Sequence, residues 1–161
     1  MEETRRRALA IGVGTLLSVL SVIIVACGGS GVTPDAADAH DDGTQAAERV
    51  VHATLDEWSI TGHDGEAGFA VPAGEVTFEA HNEGDTVHEL VLIRTDLDAA
   101  DLPVQGVVDE EAAGTVLGRT SQFGGGEMEL LSYHLEPGNY ALICNIPGHY
   151  QQGMYAQLVV N

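Results

Sequence analysis

Along residues 49–161, short runs of β-branched and aromatic residues alternate with turn residues. The runs are RVVHATLDEWSI, GEVTFEAH, TVHELVLIRT, EMELLSYHL, NYALIC and MYAQLVV. Such runs suit a pleated surface that is half buried. In GEVTFEAH, Val76, Phe78 and Ala80 fall on one face and Thr77, Glu79 and His81 on the other, which is the period of a strand. Turn signals separate the runs: PAGE (72–75), NEGD (82–85), GGG (124–126) and EPGN (136–139). Six or seven short strands in about 110 residues, with no long helical pattern between them, predict an all-β fold: an antiparallel Greek-key β-sandwich. Trp58, Phe69, Phe78, Phe123 and Tyr140 are candidates for core or rim. The segment 96–122 is the least regular; DAADLP reads as a short helical turn and DEEAAGTVLG as a loop or weak strand.

The pattern before residue 49 is of another kind. Arg5, Arg6 and Arg7 precede an apolar run from Leu9 to Ala26, which ends in IVAC and GGSG. A basic start, an apolar stretch and small residues before a cysteine read as an export signal. The run is also about long enough to cross a bilayer as a helix. Ile24, Val25, Ala26 and Cys27 resemble a lipobox, which implies cleavage before Cys27 and lipidation of that residue. TRRRALA loosely resembles a twin-arginine signal, with Ala8 where a bulky residue is usual. The alternative is an uncleaved membrane helix with an incidental cysteine. Residues 28–48, rich in Gly, Ala and Asp, show no apolar period and read as a flexible acidic linker. The chain thus divides into a signal peptide with lipobox (1–26), a lipidated cysteine and linker (27–48) and a β domain (49–161). The domain is placed on the extracytoplasmic face of the cell membrane, periplasmic or at the cell surface.

Composition narrows the partners. The chain holds 25 acidic and 6 basic residues, for a formal net charge of -19, and no lysine. Nucleic acid is excluded as a partner, because phosphate contacts need clustered Lys and Arg. With residues 1–26 removed, 3 basic and 23 acidic residues remain, a formal charge of -20. Cys144 is then the single free thiol. In an oxidising compartment a lone thiol is a liability unless something occupies it.

The candidate chemistry lies in CNIPGHYQQGM (144–154). Cys144 ends one strand, His149 follows five residues on, and Met154 comes five further, where the last strand begins. One loop between adjacent strands therefore carries a thiol, an imidazole and a thioether. His88, in phase with Leu90 and Leu92, points inward from an upstream strand. Two imidazoles, a thiolate and a weak thioether make the trigonal His₂Cys set with axial Met that suits copper in electron transfer. Incidental packing of these side chains is the alternative. His81 and His134 fall on the polar phase of their strands, and His52 and His63 lie among polar neighbours. None has a partner at ligand spacing along the chain, and none is expected to play a role. The acidic clusters 96–101 and 109–111 read as solvated surface or as a docking face for a basic redox partner.

With these motifs the domain resembles the cupredoxins, the small blue copper proteins that include plastocyanin, azurin, sulfocyanin and rusticyanin. HEL at His88, PGNYALIC ending at Cys144 and CNIPGHYQQGM carry the resemblance, and the loop spacing is most similar to rusticyanin and sulfocyanin. The resemblance implies one type 1 copper ion held by His88, Cys144, His149 and Met154. It implies a monomeric one-electron carrier rather than an enzyme, with His149 presenting its ring edge at an apolar surface to protein redox partners. Many cupredoxins place Asn after the first histidine to brace the ligand loop; here that residue is Glu89. A copper oxidase or nitrite reductase needs a further copper centre, and there is no H-x-H pair to build one. A surface copper chaperone or storage lipoprotein could use the same ligands, but the exposed Met and His clusters typical of that task are missing.

Overall fold

The protein is known from a computed structural model, which describes residues 49–161. The expected signal peptide, Cys27 and linker lie outside the described residues. The described residues hold eleven strands and two single-turn helices, and nine of the strands form the two sheets of a β-sandwich. The first sheet has the order β2 (Ser59–Gly62), β1 (Arg49–Asp56), β4 (Gly74–Asn82), β9 (Met128–Leu135). The second has the order β3 (Phe69–Val71), β11 (Tyr155–Val160), β10 (Gly138–Ile143), β5 (Val91–Arg94), β8 (Thr115–Arg119). No helix among the described residues is long and apolar enough to cross a membrane.

Consecutive strands pair antiparallel, as turn signals lead one to expect: β1 with β2 and β10 with β11. Two pairings between strands distant in sequence are parallel, β1 with β4 and β3 with β11. The sheets are therefore mixed. Side-chain alternation tells which face a residue takes, but it does not tell which distant strand lies alongside, or in which direction.

The main core fills the space between the sheets. It takes Val76, Phe78 and Ala80 from β4, Leu92 from β5 and Leu90 just before it, and Tyr140, Leu142 and Cys144 from β10 and its end. Phe78, Phe123 and Tyr140 are buried, while Trp58 and Phe69 pack half-buried against the core. A second apolar cluster lies on the outer face of the second sheet, where Val91, Ile93, Ala141 and Ile143 meet Ala99, Leu102, Val108 and Ala113. β5 and β10 are thus covered on both faces, which explains why LVLI and YALI read as continuous apolar runs rather than alternating ones.

The irregular segment after β5 supplies that cover. It contains the small hairpin β6 (Val104–Gln105) and β7 (Val107–Val108), then α1 (Glu110–Ala113). The helical turn sits at EEAA; DAADLP forms only a hydrogen-bonded turn, from the Asp101 N–H to the Asp98 carbonyl. The Asp109 carboxylate accepts from the Ala112 N–H and caps α1. Asp109 is a structural cap, and Glu110 pairs with Arg119, so this acidic cluster is more than a solvated face.

Candidate metal centre

The loop from Cys144 to Met154 closes the β10–β11 hairpin. The Cys144 N–H donates to the Met154 carbonyl (3.0 Å), and the Met154 N–H donates to the His149 carbonyl (3.2 Å). Within the loop, α2 (His149–Gln152) begins at Gly148 and stops at Gly153. Gly153 has φ +121°, and a Cβ there would stand 2.9 Å from the Trp58 carbonyl oxygen. The turn that carries His149 and returns to Met154 therefore requires glycine on two grounds, conformation and space.

His88 comes from the opposite side. It precedes β5 and makes an isolated antiparallel bridge with Phe123, its N–H donating to the Phe123 carbonyl and its carbonyl accepting in return (both 3.0 Å). The expected strand begins only at Val91, yet the phase holds: His88 is fully buried and shares the inward direction of Leu90 and Leu92.

Three of the four predicted ligands thereby converge. His88 Nδ1 lies 3.2 Å from His149 Nδ1 and 3.9 Å from Cys144 Sγ, and His149 Nδ1 lies 3.4 Å from Cys144 Sγ. Three atoms so spaced lie on a circle with a radius of about 2 Å, the length of a first-row metal bond to imidazole nitrogen or thiolate, roughly 2.0–2.3 Å. Met154 is fully buried at the base of the same loop. Cys144 is the one free cysteine among the described residues.

Protonation favours metal ligation. Burial lowers the His88 pKa, against the opposing pull of Glu57. His149 is lowered by burial and then by His88. Both shifts favour the neutral ring, which offers a lone pair. Burial raises the Cys144 thiol, while the backbone N–H groups of Glu89 and Ile146, directed at the sulfur, act the other way. A bound cation is what makes the thiolate stable in this setting, since a coordinating thiol is deprotonated outright.

Residues that sequence reasoning did not single out hold the ligands in place. Glu57 Oε1 stands 3.5 Å from His88 Nε2, and the Thr86 hydroxyl is 3.3 Å from the same nitrogen. A proton on Nε2 leaves the Nδ1 lone pair facing Cys144 and His149. Glu57 is itself fixed by the Thr86 N–H (2.8 Å) and hydroxyl (2.7 Å). The hydroxyl bond leads the interactions that hold its carboxyl down at about 2. Buried Asn82 donates to the Thr86 carbonyl (2.8 Å) and to the Phe123 carbonyl (3.0 Å), framing the stretch that carries His88. The Glu89 carboxylate faces Arg119 at 3.9 Å, so bracing of the ligand loop falls elsewhere. Asn145, next to Cys144, accepts from the Val108 N–H (2.7 Å) and donates to Glu110 (2.8 Å). Tyr150, next to His149, donates to the Ala99 carbonyl (2.8 Å) and accepts from the Leu102 N–H (2.9 Å). The 96–113 cover thus clamps both sides of the loop. Asn145 lies inside the CNIPGHYQQGM motif, but its partners lie 37 and 35 residues away, and nothing local marks that pairing.

His149 is half-buried with the Trp58 ring edge-on at 5.0 Å. The remaining histidines separate. His134 and His63 stand apart from the centre, but His52 and His81 both approach Glu79, their donor atoms within 4.8 Å of one another. Glu79 and His81 share one face of β4, as the alternation in GEVTFEAH gives; the parallel pairing of β1 with β4 adds His52, so these histidines do have a carboxylate partner, contrary to the sequence expectation.

Comparison with known proteins agrees with this geometry. The family model of the sulfocyanin (SoxE) domain matches residues 50–161. Among solved structures, auracyanin A, a "blue" copper protein from Chloroflexus aurantiacus, is 19% identical with a TM-score of 0.52, covering 71% of this chain and 99% of its own. Auracyanin from Roseiflexus castenholzii is 20% identical (TM-score 0.52; 71% and 96% covered). Rusticyanin from Thiobacillus ferrooxidans is 19% identical (TM-score 0.53; 71% and 77% covered). No curated protein matches the chain. At these identities the structural likenesses speak for the fold, and the family match over residues 50–161 speaks for membership: the chain belongs to the sulfocyanin family of cupredoxins.

Proposed function

We propose that the protein is an extracytoplasmic one-electron carrier whose copper is held by His88, Cys144, His149 and Met154. The observation that carries this reading is the triangle of His88 Nδ1, His149 Nδ1 and Cys144 Sγ, sized for one metal ion, with Met154 beside it. Copper in such a set supplies a one-electron Cu(I)/Cu(II) couple. The chain's own residues set the conditions. Cys144 gives a thiolate, to which the N–H groups of Glu89 and Ile146 point. Glu57 and Thr86 orient His88; the 96–113 cover fixes the loop through Asn145 and Tyr150. A site whose ligands cannot move far changes little between oxidation states, and small rearrangement favours fast transfer. His149, the least buried of the four, is the side through which protein donors and acceptors exchange electrons.

Lipid anchoring through Cys27, a monomeric state and protein redox partners complete the proposal, supported by the sequence pattern alone. The test is a visible spectrum on addition of Cu(II), followed by a redox titration. An intense thiolate-to-copper absorption that bleaches reversibly on one-electron reduction, and that is lost in Cys144→Ser, is expected. A protein that binds copper without colour is a chaperone or store instead.

A further inference from the structure

The outer face of the first sheet gathers three of the chain's seven histidines: His52, His63 and His81. In the parallel pair of β1 and β4, His52 lies opposite Glu79 and Thr54 opposite His81. Neighbouring strands run about 4.8 Å apart and alternate residues share a face, so Glu79 and His81 point outward together and His52 joins them from the side. One oxygen, Glu79 Oε2, stands 2.9 Å from His52 Nδ1 and 3.9 Å from His81 Nε2. A donor atom from each of the three residues falls within 4.8 Å of the others. The His63 ring lies 5.8 Å from that of His52. A hollow of about 350 Å³ opens over the group, with Thr54 and Glu83 completing its walls.

A lone surface His–Glu pair carries little weight, since exposed ion pairs contribute about 0–1 kcal/mol. Two imidazoles turned to one carboxylate oxygen are a different case. Imidazole and carboxylate are the donors that zinc and copper take in proteins, and two His with one Glu is a known zinc donor set. The ligands stand on paired strands, so their backbones are fixed and only side-chain rotation is needed to close on an ion. A domain with no lysine and a large acidic excess also concentrates dications at its surface.

We propose that His52, Glu79 and His81 form a second metal site, distinct from the Cys144 centre, that binds a divalent ion of the Zn²⁺ or Cu²⁺ class, with His63 able to add a further imidazole. The test is a calorimetric titration of the full chain with Zn²⁺ alone, together with imidazole NMR shifts. In the parent protein the His52 and His81 rings should shift on zinc addition. His134, which is bound to Glu75 on the same face at 2.8 Å, should not. His52→Ala, His81→Ala and Glu79→Gln should each weaken this site more than tenfold, because even an outer partner of a metal ligand commonly costs 10- to 100-fold. All three side chains are partly exposed, so the fold should survive. Zinc taken by the Cys144 centre is read separately, as the part lost in Cys144→Ser. The proposal is overturned if His52→Ala and His81→Ala bind as much zinc, as tightly, as the parent. It is equally overturned if His134 shifts as strongly as His52, which would mean diffuse binding to an acidic surface.

Discussion

Thiolate and thioether serve a copper ion unequally. The Cys144 sulfur makes the short covalent bond that gives colour, whereas an axial Met is long and weak. Met154→Leu should therefore keep copper and colour, and the reduction potential should rise, because the lost thioether donates electrons that favour Cu(II). Loss of copper as complete as in Cys144→Ser would remove Met154 from the axial role. Glu57 makes a separate prediction. Its carboxyl sits at about 2 in the fold against an ordinary 4.5, chiefly through the Thr86 hydroxyl. Such a group takes up a proton on unfolding, so the stability it lends is complete above pH about 4.5 and is lost as pH falls toward 2. Glu57→Gln should show a shallower acid slope of the denaturant midpoint across that window; a slope parallel to the parent's would rule out this role. Cys144, His149 and Met154 were legible because one short loop holds them, and His88 because its phase matches Leu90 and Leu92. Glu57, Asn82 and Asn145 were not, because each acts through a partner far away in sequence.

Elements decide how replaceable each histidine is. His149 rides on a one-turn helix in the loop that closes the β10–β11 hairpin and is half-buried; His88 is fully buried and bridged to Phe123. His149→Gly should open a gap that free imidazole can enter, restoring the visible absorption in proportion to added imidazole. His88→Gly should leave a cavity behind the loop that imidazole fills poorly. Equal rescue of the two variants would contradict the burial difference. The same hairpin shows why strands were readable and their arrangement was not. Alternation in GEVTFEAH and the EPGN turn are local signals. The parallel partnership of β1 and β4 is a choice between distant strands, and with it went the His52–Glu79–His81 cluster. The helix at Glu110–Ala113 did have a local signal, Asp109 three residues before the Ala112 N–H it accepts from, masked by the polar run around it.

At the scale of the whole molecule two sequence properties lead to tests. If Cys27 carries lipid, Cys27→Ser should release the protein or leave it with its signal attached; processing and membrane attachment like the parent's would exclude the lipobox. The second property is charge. Within residues 49–161, Arg49, Arg94 and Arg119 are the only Arg or Lys among many carboxylates. Arg49 donates to the Ala73 carbonyl and Arg94 lies over the Tyr140 ring, so among the described residues Arg119 is the arginine paired with carboxylates, Glu89 and Glu110. Salt therefore has little attraction to screen and much repulsion. The Debye length falls from about 10 Å at 0.1 M to about 3 Å at 1 M, short enough to separate most surface carboxylates from one another. Repulsion that opposes the compact state should fade over that range. The denaturant midpoint of the domain should rise as potassium chloride goes from low to molar concentration, with most of the gain below about 1 M, where the Debye length changes fastest. A midpoint that stays flat or falls would mean that the carboxylates are already far enough apart in the fold, and that the acidic surface serves partner or cation binding rather than tolerance of salt.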